Sequence, residues 1–416
     1  MFIFKCGAYL IISNFLIFYD ILGEIMKVIG KIGKGSDIKI DEKTKFSIIL
    51  DSIAKKADIA EGKRAVEDII RVIYRHQPIS TKKIAQKTRL PLPIVAKVRT
   101  LLEREKMLKR TNRGAKLTEL GIKFAENFLK LKHKRSLTCD KCKGRGIVLD
   151  EFFENILDKV KVWAEKRPLV DTSIDQSFAT PETATYRTAL MYERGDLEGK
   201  RILFVGDDDL TSLPTALTHM PEEVVVVDID DRILTLINKF SKEEGVEIKT
   251  IKHDLRKPIP TSLRGRFDVI STDPPYTTNG LKLFLSRGID ALGKEGIAYL
   301  SYSHKPINEW LLVQKAITDM GFVISELIPN FNYYEGSEII ANTTFIARLI
   351  GRDLKPVIGD IENIYTGLVK PVVRYYKCLK CGKVYKVGKD IKKIEDLVCS
   401  CGGKKFKMIK REKIKE

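Results

Sequence analysis

The order of hydrophobic and polar residues predicts a mixed α/β domain between residues 150 and 350. Short apolar runs, typical of buried strands, recur along this stretch. They are Arg201–Val205, Val224–Asp228, Ile248–Lys252, Phe267–Thr272, Gly296–Tyr302, Phe322–Ile328 and Thr343–Leu349. Helical stretches separate the first five runs, whereas the last two lie close together. The pattern therefore predicts a seven-stranded sheet that is mostly parallel and ends in an antiparallel hairpin.

A helical pattern precedes this domain, over residues 45–131. One amphipathic helix is followed by a short second helix, and residues 90–93 form a Pro-rich turn before a third helix over 94–106. Residues 107–117 would form a β-hairpin, and Thr118 would cap a last helix. This order predicts a winged-helix domain. Contact with DNA is a separate hypothesis, because winged helices also serve as docking or dimerisation modules.

The first 26 residues differ from the rest of the chain. Met1 to Gly23 is apolar and aromatic, but Ser13 and Asn14 interrupt it before the roughly 20 residues needed to cross a bilayer. A small-residue cleavage site does not follow it. We interpret this leader as translation from an upstream start codon, with Met26 as the true beginning and no membrane partner. A membrane anchor is the alternative.

Basic residues outnumber acidic ones, 74 to 55, which gives a formal net charge of +19. Such a surplus is typical of proteins that bind nucleic acid or another polyanion. A lysine-rich, thermophile-like surface explains it equally well, because the basic residues are spread along the chain. Residues 404–416 are predicted to be a basic tail that frays.

Six of the seven cysteines fall in close pairs. Two pairs near the C-terminus are candidate metal ligands, namely Cys378, Cys381, Cys399 and Cys401. Their spacing predicts a structural zinc ribbon over residues 373–403, with inert thiols as the alternative. The pair Cys139 and Cys142, in a basic linker over residues 132–149, would bind metal with a second chain or not at all. Cysteine pairs at this spacing favour a reducing, cytoplasmic location.

The turn after the first predicted strand holds Gly206 and then Asp207, Asp208 and Asp209. A nucleotide-binding βαβ unit has this layout: a strand, a tight turn, a helix and a second strand that ends in an acidic residue. The seven predicted strands together match the Rossmann-like methyltransferase architecture. Such a turn normally carries glycines that let the backbone approach an anionic group. Three carboxylates instead repel anions and attract cations, which separates this site from an ordinary dinucleotide site.

Acids also follow the next two strands. Asp228 ends the second strand, the usual place for a carboxylate that accepts hydrogen bonds from ribose hydroxyls. Asp254, after the third strand, is placed to accept from an adenine amino group. The expected contacts of the adenosyl co-substrate are Gly206, Asp207, Asp228, Asp254 and Asp273.

The segment Asp273-Pro274-Pro275-Tyr276 follows the fourth strand, at the sheet edge where open α/β proteins bind ligands. Two prolines stiffen the backbone. The Asp carboxylate and a proline carbonyl can accept hydrogen bonds from one nitrogen, and the Tyr ring suits a base or a cation. The loop is therefore predicted to hold an amine, with a plain turn as the alternative.

These motifs together predict a site for an adenosyl sulfonium opposite an amine. S-Adenosylmethionine carries a carboxylate that the acidic turn would repel, whereas its decarboxylated form carries only ammonium and sulfonium groups. Two unit charges about 4 Å apart interact by roughly 4 kcal/mol at an effective dielectric constant near 20. The acidic turn would therefore reverse the donor preference by orders of magnitude. We expect decarboxylated S-adenosylmethionine as the co-substrate and aminopropyl transfer as the reaction.

The acceptor would be a polyamine nitrogen, which must lose a proton before it attacks carbon. Asp273 is the candidate base, and Asp209 is assigned to the catalytic pair with it. Residues 172–187 would fold over the site as a lid. The expected substrate contacts are Asp175, Gln176, Asp208, Asp209, Pro274, Tyr276 and Glu335.

Three motifs resemble those of the archaeal branched-chain polyamine synthase family: Gly-Asp-Asp-Asp, Val-Asp-Ile-Asp and Thr-Asp-Pro-Pro-Tyr-Thr, after the first, second and fourth strands. The resemblance covers residues 45–350 and includes the winged-helix-like domain. It implies a cytoplasmic homodimer that transfers two aminopropyl groups to the secondary amine of spermidine, giving N(4)-bis(aminopropyl)spermidine and methylthioadenosine. The family's acids carry over onto Asp207, Asp208, Asp209, Asp228, Asp254 and Asp273.

Two other functions stay open at this stage. Asp-Pro-Pro-Tyr is shared with enzymes that methylate an exocyclic nitrogen of a flipped-out base. The winged helix, the zinc ribbon and the net charge favour that nucleic-acid substrate, whereas the acidic turn opposes it. The third class is a winged-helix regulator whose α/β domain only senses a ligand.

Overall fold

The computed structural model describes residues 42–135, 137–335, 337, 340–362, 364–365, 372–387 and 397–413. The apolar leader of residues 1–26 lies outside this part of the chain. Among the helices that are described, none combines the length and the hydrophobicity needed to cross a membrane.

Helices dominate the N-terminal part. They are α1 (Glu42–Ala57), α2 (Lys63–His76), α3 (Thr81–Thr88), α4 (Leu92–Arg104) and, after the hairpin of β1 (Leu108–Thr111) and β2 (Gly114–Leu117), α5 (Glu119–Asn127). The predicted cap of α5 is confirmed, since the Thr118 hydroxyl accepts from the backbone N–H of Gly121. The order of elements is the one that the winged-helix prediction requires. Assignment to that domain family stays a prediction.

Helix α3 is hydrogen-bonded to the α/β domain at one residue, Gln86. Its side-chain amide donates to the carbonyl of Ala341 at 2.9 Å, and its own carbonyl accepts from the side-chain amide of Asn330 at 2.9 Å. The helix before the predicted recognition helix therefore docks on the domain that follows it in the chain.

One seven-stranded sheet forms the centre of the α/β domain. Its strands are β3 (Arg201–Val205), β4 (Glu223–Asp228), β5 (Lys249–Lys252), β6 (Val269–Thr272), β7 (Glu295–Tyr302), β8 (Phe322–Tyr333) and β9 (Thr343–Arg352). Their order across the sheet is β5-β4-β3-β6-β7-β9-β8. The first five strands are parallel, and β9 runs antiparallel to both of its neighbours. The predicted fold class is confirmed.

Helices cover both faces of this sheet. They are α6 (Glu151–Ala164), α7 (Pro181–Glu193), α8 (Ser212–Leu217), α9 (Asp231–Glu244), α10 (Thr278–Leu292) and α11 (Ile307–Asp319). Successive residues of β3 enter different cores: Ile202 and Phe204 pack in one, and Leu203 and Val205 pack in the other. Because parallel strands are buried on both faces, they read in the sequence as continuous apolar runs.

Strand β8 continues past the predicted end at Ile328. Its pairing with β9 shifts register between Ile324 and Glu326 and again between Ile328 and Asn332. Such bulges break the apolar pattern from which the strand end was predicted. The extension carries Asn332 and Tyr334 to the buried face of helix α7.

The C-terminal part forms a three-stranded sheet of β10 (Val372–Cys378), β11 (Val384–Val387) and β12 (Phe406–Lys413), in the order β11-β10-β12. Within the predicted fraying tail of residues 404–416, residues 406–413 form β12, which pairs with β10, and residues 414–416 lie outside the described part of the chain. Phe406 and Met408 alternate with lysines and pack against the cluster of Tyr376, Val387 and Leu397, as does Leu169 of the α/β domain. This alternation is typical of a half-buried strand.

The carboxyl ends of β3, β4 and β6 meet at one edge of the sheet, because these strands are direct neighbours. Gly206 leaves β3 with φ of 77°, a conformation that favours glycine. Its backbone N–H donates to Val227 O at 2.8 Å, which fixes the turn beside β4. The edge therefore gathers the acidic turn of residues 207–209 with Asp228 and Asp273.

Candidate active site

A cavity of about 1900 Å³ opens at this edge of the sheet. Its wall includes loops of the α/β domain, residues 89–91 between α3 and α4, and side chains of β10 and β12. Acidic side chains are concentrated on the α/β side of the wall. They are Glu165, Asp175, Asp208, Asp209, Asp228, Asp273, Glu309 and Glu335. This part of the wall favours a ligand with several positive charges, whereas the part formed by β10 and β12 is basic, with Arg374, Lys407 and Lys410.

Asp207 turns away from the cavity. Its carboxylate accepts from the backbone N–H groups of Thr211 at 2.8 Å and Ser212 at 3.1 Å, at the start of α8. Burial raises the pKa of Asp207 to about 8. The start of this helix supplies amide donors that the Asp207 side chain reaches, so the side chain does not line the cavity. Its contact with the co-substrate stays a prediction.

Asp209 is paired inside the protein. Its carboxylate accepts from the backbone N–H of Ala179 at 2.6 Å and from the Arg187 guanidinium at 2.6 Å. The same guanidinium donates to Asp273 at 2.7 Å. The three side chains are only 5%, 4% and 11% exposed for Asp209, Arg187 and Asp273. Arg187 thus bridges the two carboxylates that were predicted to act as the catalytic pair.

Burial would lower the pKa of Arg187, but the neighbouring Asp209, Tyr334 and Asp273 raise it well above its ordinary value. The guanidinium is therefore a permanent positive charge. It also donates to the side-chain carbonyl of Asn332 at 2.9 Å and to the Tyr334 hydroxyl at 3.0 Å. These bonds use the planar fork of arginine donors and fix its orientation.

Asp273 lies on the cavity wall with three donors around it. Besides Arg187, the hydroxyls of Tyr276 and Tyr334 donate to its carboxylate. Burial raises its pKa to about 7, although the Arg187 charge acts in the opposite direction. A carboxyl that titrates near neutrality can accept a proton from a substrate and release it again. The Asp-Pro-Pro-Tyr loop thus places a tuned base at the cavity.

Asp208 is the member of the acidic turn that faces the cavity without a protein partner. Its side chain is half-buried and makes no hydrogen bond or ion pair with the part of the chain that the structure describes. Burial raises its pKa well above the ordinary value, and the charges of Asp209, Asp228 and Asp273 raise it further. A cation bound here would stabilise the ionised form.

The two predicted adenosine acids differ in their placement. Asp228 lines the cavity and accepts from the backbone N–H groups of Asp207 at 2.9 Å and Asp230 at 2.8 Å, and burial raises its pKa. Asp254 does not line the cavity. Hydrogen bonds from Arg256, two residues along the same turn, reach both of its oxygens and lower its pKa. The adenine contact of Asp254 stays a prediction that this arrangement does not favour.

The predicted substrate contacts Asp175, Gln176, Pro274, Tyr276 and Glu335 all line the cavity. The Gln176 side chain donates to Asp230 at 2.9 Å and accepts from the backbone N–H of Asp171 at 2.7 Å, which ties this segment to the start of α9. The second half of the predicted lid belongs to helix α7, and the lid itself stays a prediction.

The sequence pattern missed Arg187 and Tyr334 as site residues. Arg187 lies on α7 four residues from Thr183 and Met191, and all three are buried. A lone arginine among buried positions of a helix indicates a paired charge, because arginine is almost never buried alone. That signal was available. Its two partners are more than 20 residues away along the chain, and only the fold identifies them.

The four C-terminal cysteines form one cluster, and their sulfur atoms all lie within 4.8 Å of one another. Sulfur distances are 3.8 Å for Cys378 and Cys401 and 3.3 Å for Cys381 and Cys399. A tetrahedral zinc site with bonds of about 2.3 Å has edges of about 3.8 Å. The donor set and its spacing therefore fit a structural zinc ion.

We expect Arg187→Met to lower the free energy of unfolding by about 3–5 kcal/mol, because it leaves two buried carboxylates without their counter-charge. Denaturant unfolding followed by circular dichroism would measure this. The matched control is Arg194→Met, which breaks a similar bidentate pair with Glu326 whose side chains are 31% and 28% exposed. Its cost should be at most about 1 kcal/mol. Equal costs for the two variants would contradict the bridging role.

The family model for the branched-chain polyamine synthase A C-terminal domain matches residues 155–405. An uncharacterised protein of Methanocaldococcus jannaschii is 82% identical over 390 residues, which are 94% of this chain and 100% of that protein. The N(4)-bis(aminopropyl)spermidine synthase of the same archaeon is 35% identical over 291 residues, which are 69% of this chain and 82% of that enzyme.

A crystal structure of the branched-chain polyamine synthase from Thermus thermophilus, in complex with N4-aminopropylspermidine and 5'-methylthioadenosine, superposes with a TM-score of 0.63. The sequences are 29% identical, and the match covers 75% of this chain and 96% of that chain. The family model spans more than half of the sequence, and the curated synthase is covered over most of its length. This chain belongs to the branched-chain polyamine synthase A family.

Proposed function

We propose that this protein transfers aminopropyl groups from decarboxylated S-adenosylmethionine to the secondary amine of spermidine. Two rounds give N(4)-bis(aminopropyl)spermidine and release methylthioadenosine each time. Family membership supports the reaction class. The observation that carries it in this chain is the unpaired Asp208 carboxyl on a cavity wall shared with Asp228 and Asp273.

In each round the amine nitrogen attacks the methylene carbon attached to the sulfonium. A new N–C bond forms and the S–C bond breaks, with its electron pair remaining on sulfur. In both rounds the protonated acceptor first gives one proton to a base. The second acceptor is the tertiary amine made in the first round, so its product is a quaternary ammonium. Asp273 is the proposed base, because its pKa of about 7 lets it hold the proton briefly and return it to water. Asp209 acts through Arg187, which it holds against Asp273.

We assign to Asp208 the choice between the two sulfonium co-substrates, S-adenosylmethionine and its decarboxylated form. Two members of the acidic turn are bonded inside the protein, so selection depends on one carboxylate rather than three. A single charge pair about 4 Å apart is still worth roughly 4 kcal/mol at an effective dielectric constant near 20. Asp208 would attract the ammonium or sulfonium of the decarboxylated donor and repel the carboxylate of S-adenosylmethionine.

The adenosine is assigned to the part of the wall formed by Gly206, Asp228 and Ile229. Asp228 keeps a lone pair on each oxygen beyond those used by backbone amides, so it can accept from the ribose hydroxyls. Asp254 is left out of this site. The polyamine is assigned to the acids across the cavity, with Asp175, Gln176 and Glu335 near its ends and Pro274 and Tyr276 beside its reacting nitrogen.

Zinc bound to the four ribbon cysteines would stabilise the sheet of β10–β12 and supply no chemical step. Tyr376 and Met408 of this sheet line the cavity, so the ribbon would keep one wall in place. A homodimer in the cytoplasm completes the proposal, supported by the family resemblance and by cysteines arranged for metal rather than for disulfides.

A nucleic-acid amino-methyltransferase is the alternative that the net charge favours. One feature weighs against it. Pro91 and Pro93, at the start of the predicted recognition helix, line the cavity and so face the α/β domain. In DNA-binding helix-turn-helix proteins this end of the helix contacts bases.

The direct test supplies purified protein with each sulfonium donor, together with spermidine, DNA or RNA. We expect mass spectrometry to detect spermidine carrying one and then two aminopropyl groups, together with methylthioadenosine, only with the decarboxylated donor. Methyl groups on nucleic acid with no larger polyamine would contradict the proposal.

We expect Asp208→Asn to reduce the preference for decarboxylated over intact S-adenosylmethionine by about 100-fold, because it removes the selecting charge. Competitive binding of the two donors, followed by calorimetry, would measure this ratio. The matched control is Asp231→Asn, which neutralises an acid whose side chain is 61% exposed and paired with Lys252. It should leave the ratio unchanged. A ratio unaffected by Asp208→Asn would remove that residue from the donor site.

We expect kcat/KM for spermidine to rise with pH through about 7 as Asp273 ionises, since the ionised form accepts the proton. Because the Arg187 charge lowers the pKa of Asp273, Arg187→Gln should move this rising limb of the pH profile to higher pH by on the order of one unit. Initial rates over a pH series would show the shift. Arg187→Lys retains the charge and should keep the limb near its original position. An acid shift in Arg187→Gln would exclude Asp273 as the titrating group.

A further inference from the structure

Cys139 and Cys142 repeat the turn that carries Cys378 and Cys381 in the ribbon. In the first turn the Lys143 N–H donates to Cys139 O at 2.9 Å, and in the second the Gly382 N–H donates to Cys378 O at 2.9 Å. The donor residue is left-handed in both, with φ of 53° and 79°. The pair in the predicted linker therefore has the backbone form of a metal-binding knuckle.

Gly144 and Gly146 follow the second thiol of this knuckle, Cys142, in the chain. Both glycines are left-handed, with φ of 89° and 82°, which lets their amides turn toward one atom. Such amides stabilise a thiolate, and the thiolate is the form that binds a metal.

The knuckle is anchored to the α/β domain by Arg145. Its guanidinium lies 4.4 Å from the ring centre of Tyr186 and 4.8 Å from that of Tyr333, and its Nε donates to Phe331 O at 2.9 Å. Arg145 is buried, whereas Cys139 is exposed and Cys142 is half-buried. The thiols are therefore presented at the surface on a rigid base, and the segment is more than the linker that the sequence predicted.

This knuckle lacks the partner that the ribbon knuckle has. Among the described residues, no third Cys, His, Asp or Glu joins Cys139 and Cys142 in a cluster. A structural zinc site takes four ligands. A twofold axis would supply the other two, because an isologous contact brings the same residues of two copies together.

The charge around the knuckle suits such a centre. Zinc with four thiolates carries a net charge of about −2, from the charges of the ion and its ligands. Lys141 and Lys143 flank Cys142 in the chain, and both are exposed, as is Lys132 earlier in the same segment. Without the metal centre these lysines would repel the same surface of a second copy, and with it they offset its negative charge.

We propose that Cys139 and Cys142 are half of an intersubunit zinc site, completed by the same two residues of a second copy of this chain. The site is separate from the catalytic cavity and from the ribbon. It makes dimer formation dependent on metal.

Native mass spectrometry of the full chain, purified with zinc and a thiol reductant, tests this directly. The expected species is a dimer with about three zinc ions, one in each ribbon and one shared. Cys139→Ser with Cys142→Ser should leave about one zinc ion per chain and lower the fraction of dimer at equal concentration. As the matched control, Cys378→Ser with Cys381→Ser should yield dimers that keep the shared ion.

Three results of the zinc count would overturn the proposal: monomers that hold two zinc ions, dimers with an even number of ions, or a count that Cys139→Ser with Cys142→Ser does not change. The readout is metal content and mass, so failure here leaves the proposed aminopropyl transfer untouched. Dimers that persist in the knuckle variant at an unchanged dissociation constant would likewise contradict metal-dependent assembly.

Discussion

The Arg187 guanidinium is the interaction on which the site depends. It is the shared counter-charge of Asp209 and Asp273, and all three side chains are nearly inaccessible to water. Two carboxylates so close together could not both be ionised in a buried site without it. Its bonds to Asn332 and Tyr334 join helix α7 to strand β8 and to the turns after β3 and β6. One cation thus assembles a site from four parts of the chain.

This internal neutralisation changes how the acidic turn selects a ligand. With Asp207 bonded to α8 and Asp209 to Arg187, the turn offers the cavity one unpaired carboxyl, Asp208, rather than three. The raised pKa of Asp208 makes its charge depend on what is bound. An arriving cation restores the ionised form, and an arriving anion does not. Selection by Asp208 is therefore coupled to proton release.

The sequence predicted the sheet well because parallel strands buried on both faces leave continuous apolar runs. The sequence also predicted the sheet edge that carries the site, since Asp208, Asp228 and Asp273 lie at the carboxyl ends of neighbouring strands. It could not distinguish acids that face a ligand from acids bonded to the protein. The partners of Asp254 and Asp207 are local, but the side-chain directions that join them are not encoded in a pattern. Arg187, the partner of Asp209, lies on helix α7. Strand β8 contacts Arg187 through Asn332, but the strand was predicted to end before that residue.

The cavity volume has a consequence for the order of events. At about 1900 Å³ it exceeds the roughly 300–1,000 Å³ typical of a pocket for one drug-sized ligand. Under the proposed reaction, this volume leaves room for the amine acceptor and the nucleoside product together. We therefore expect that the nucleoside can be exchanged while the amine stays bound, so that both additions take place on one retained acceptor.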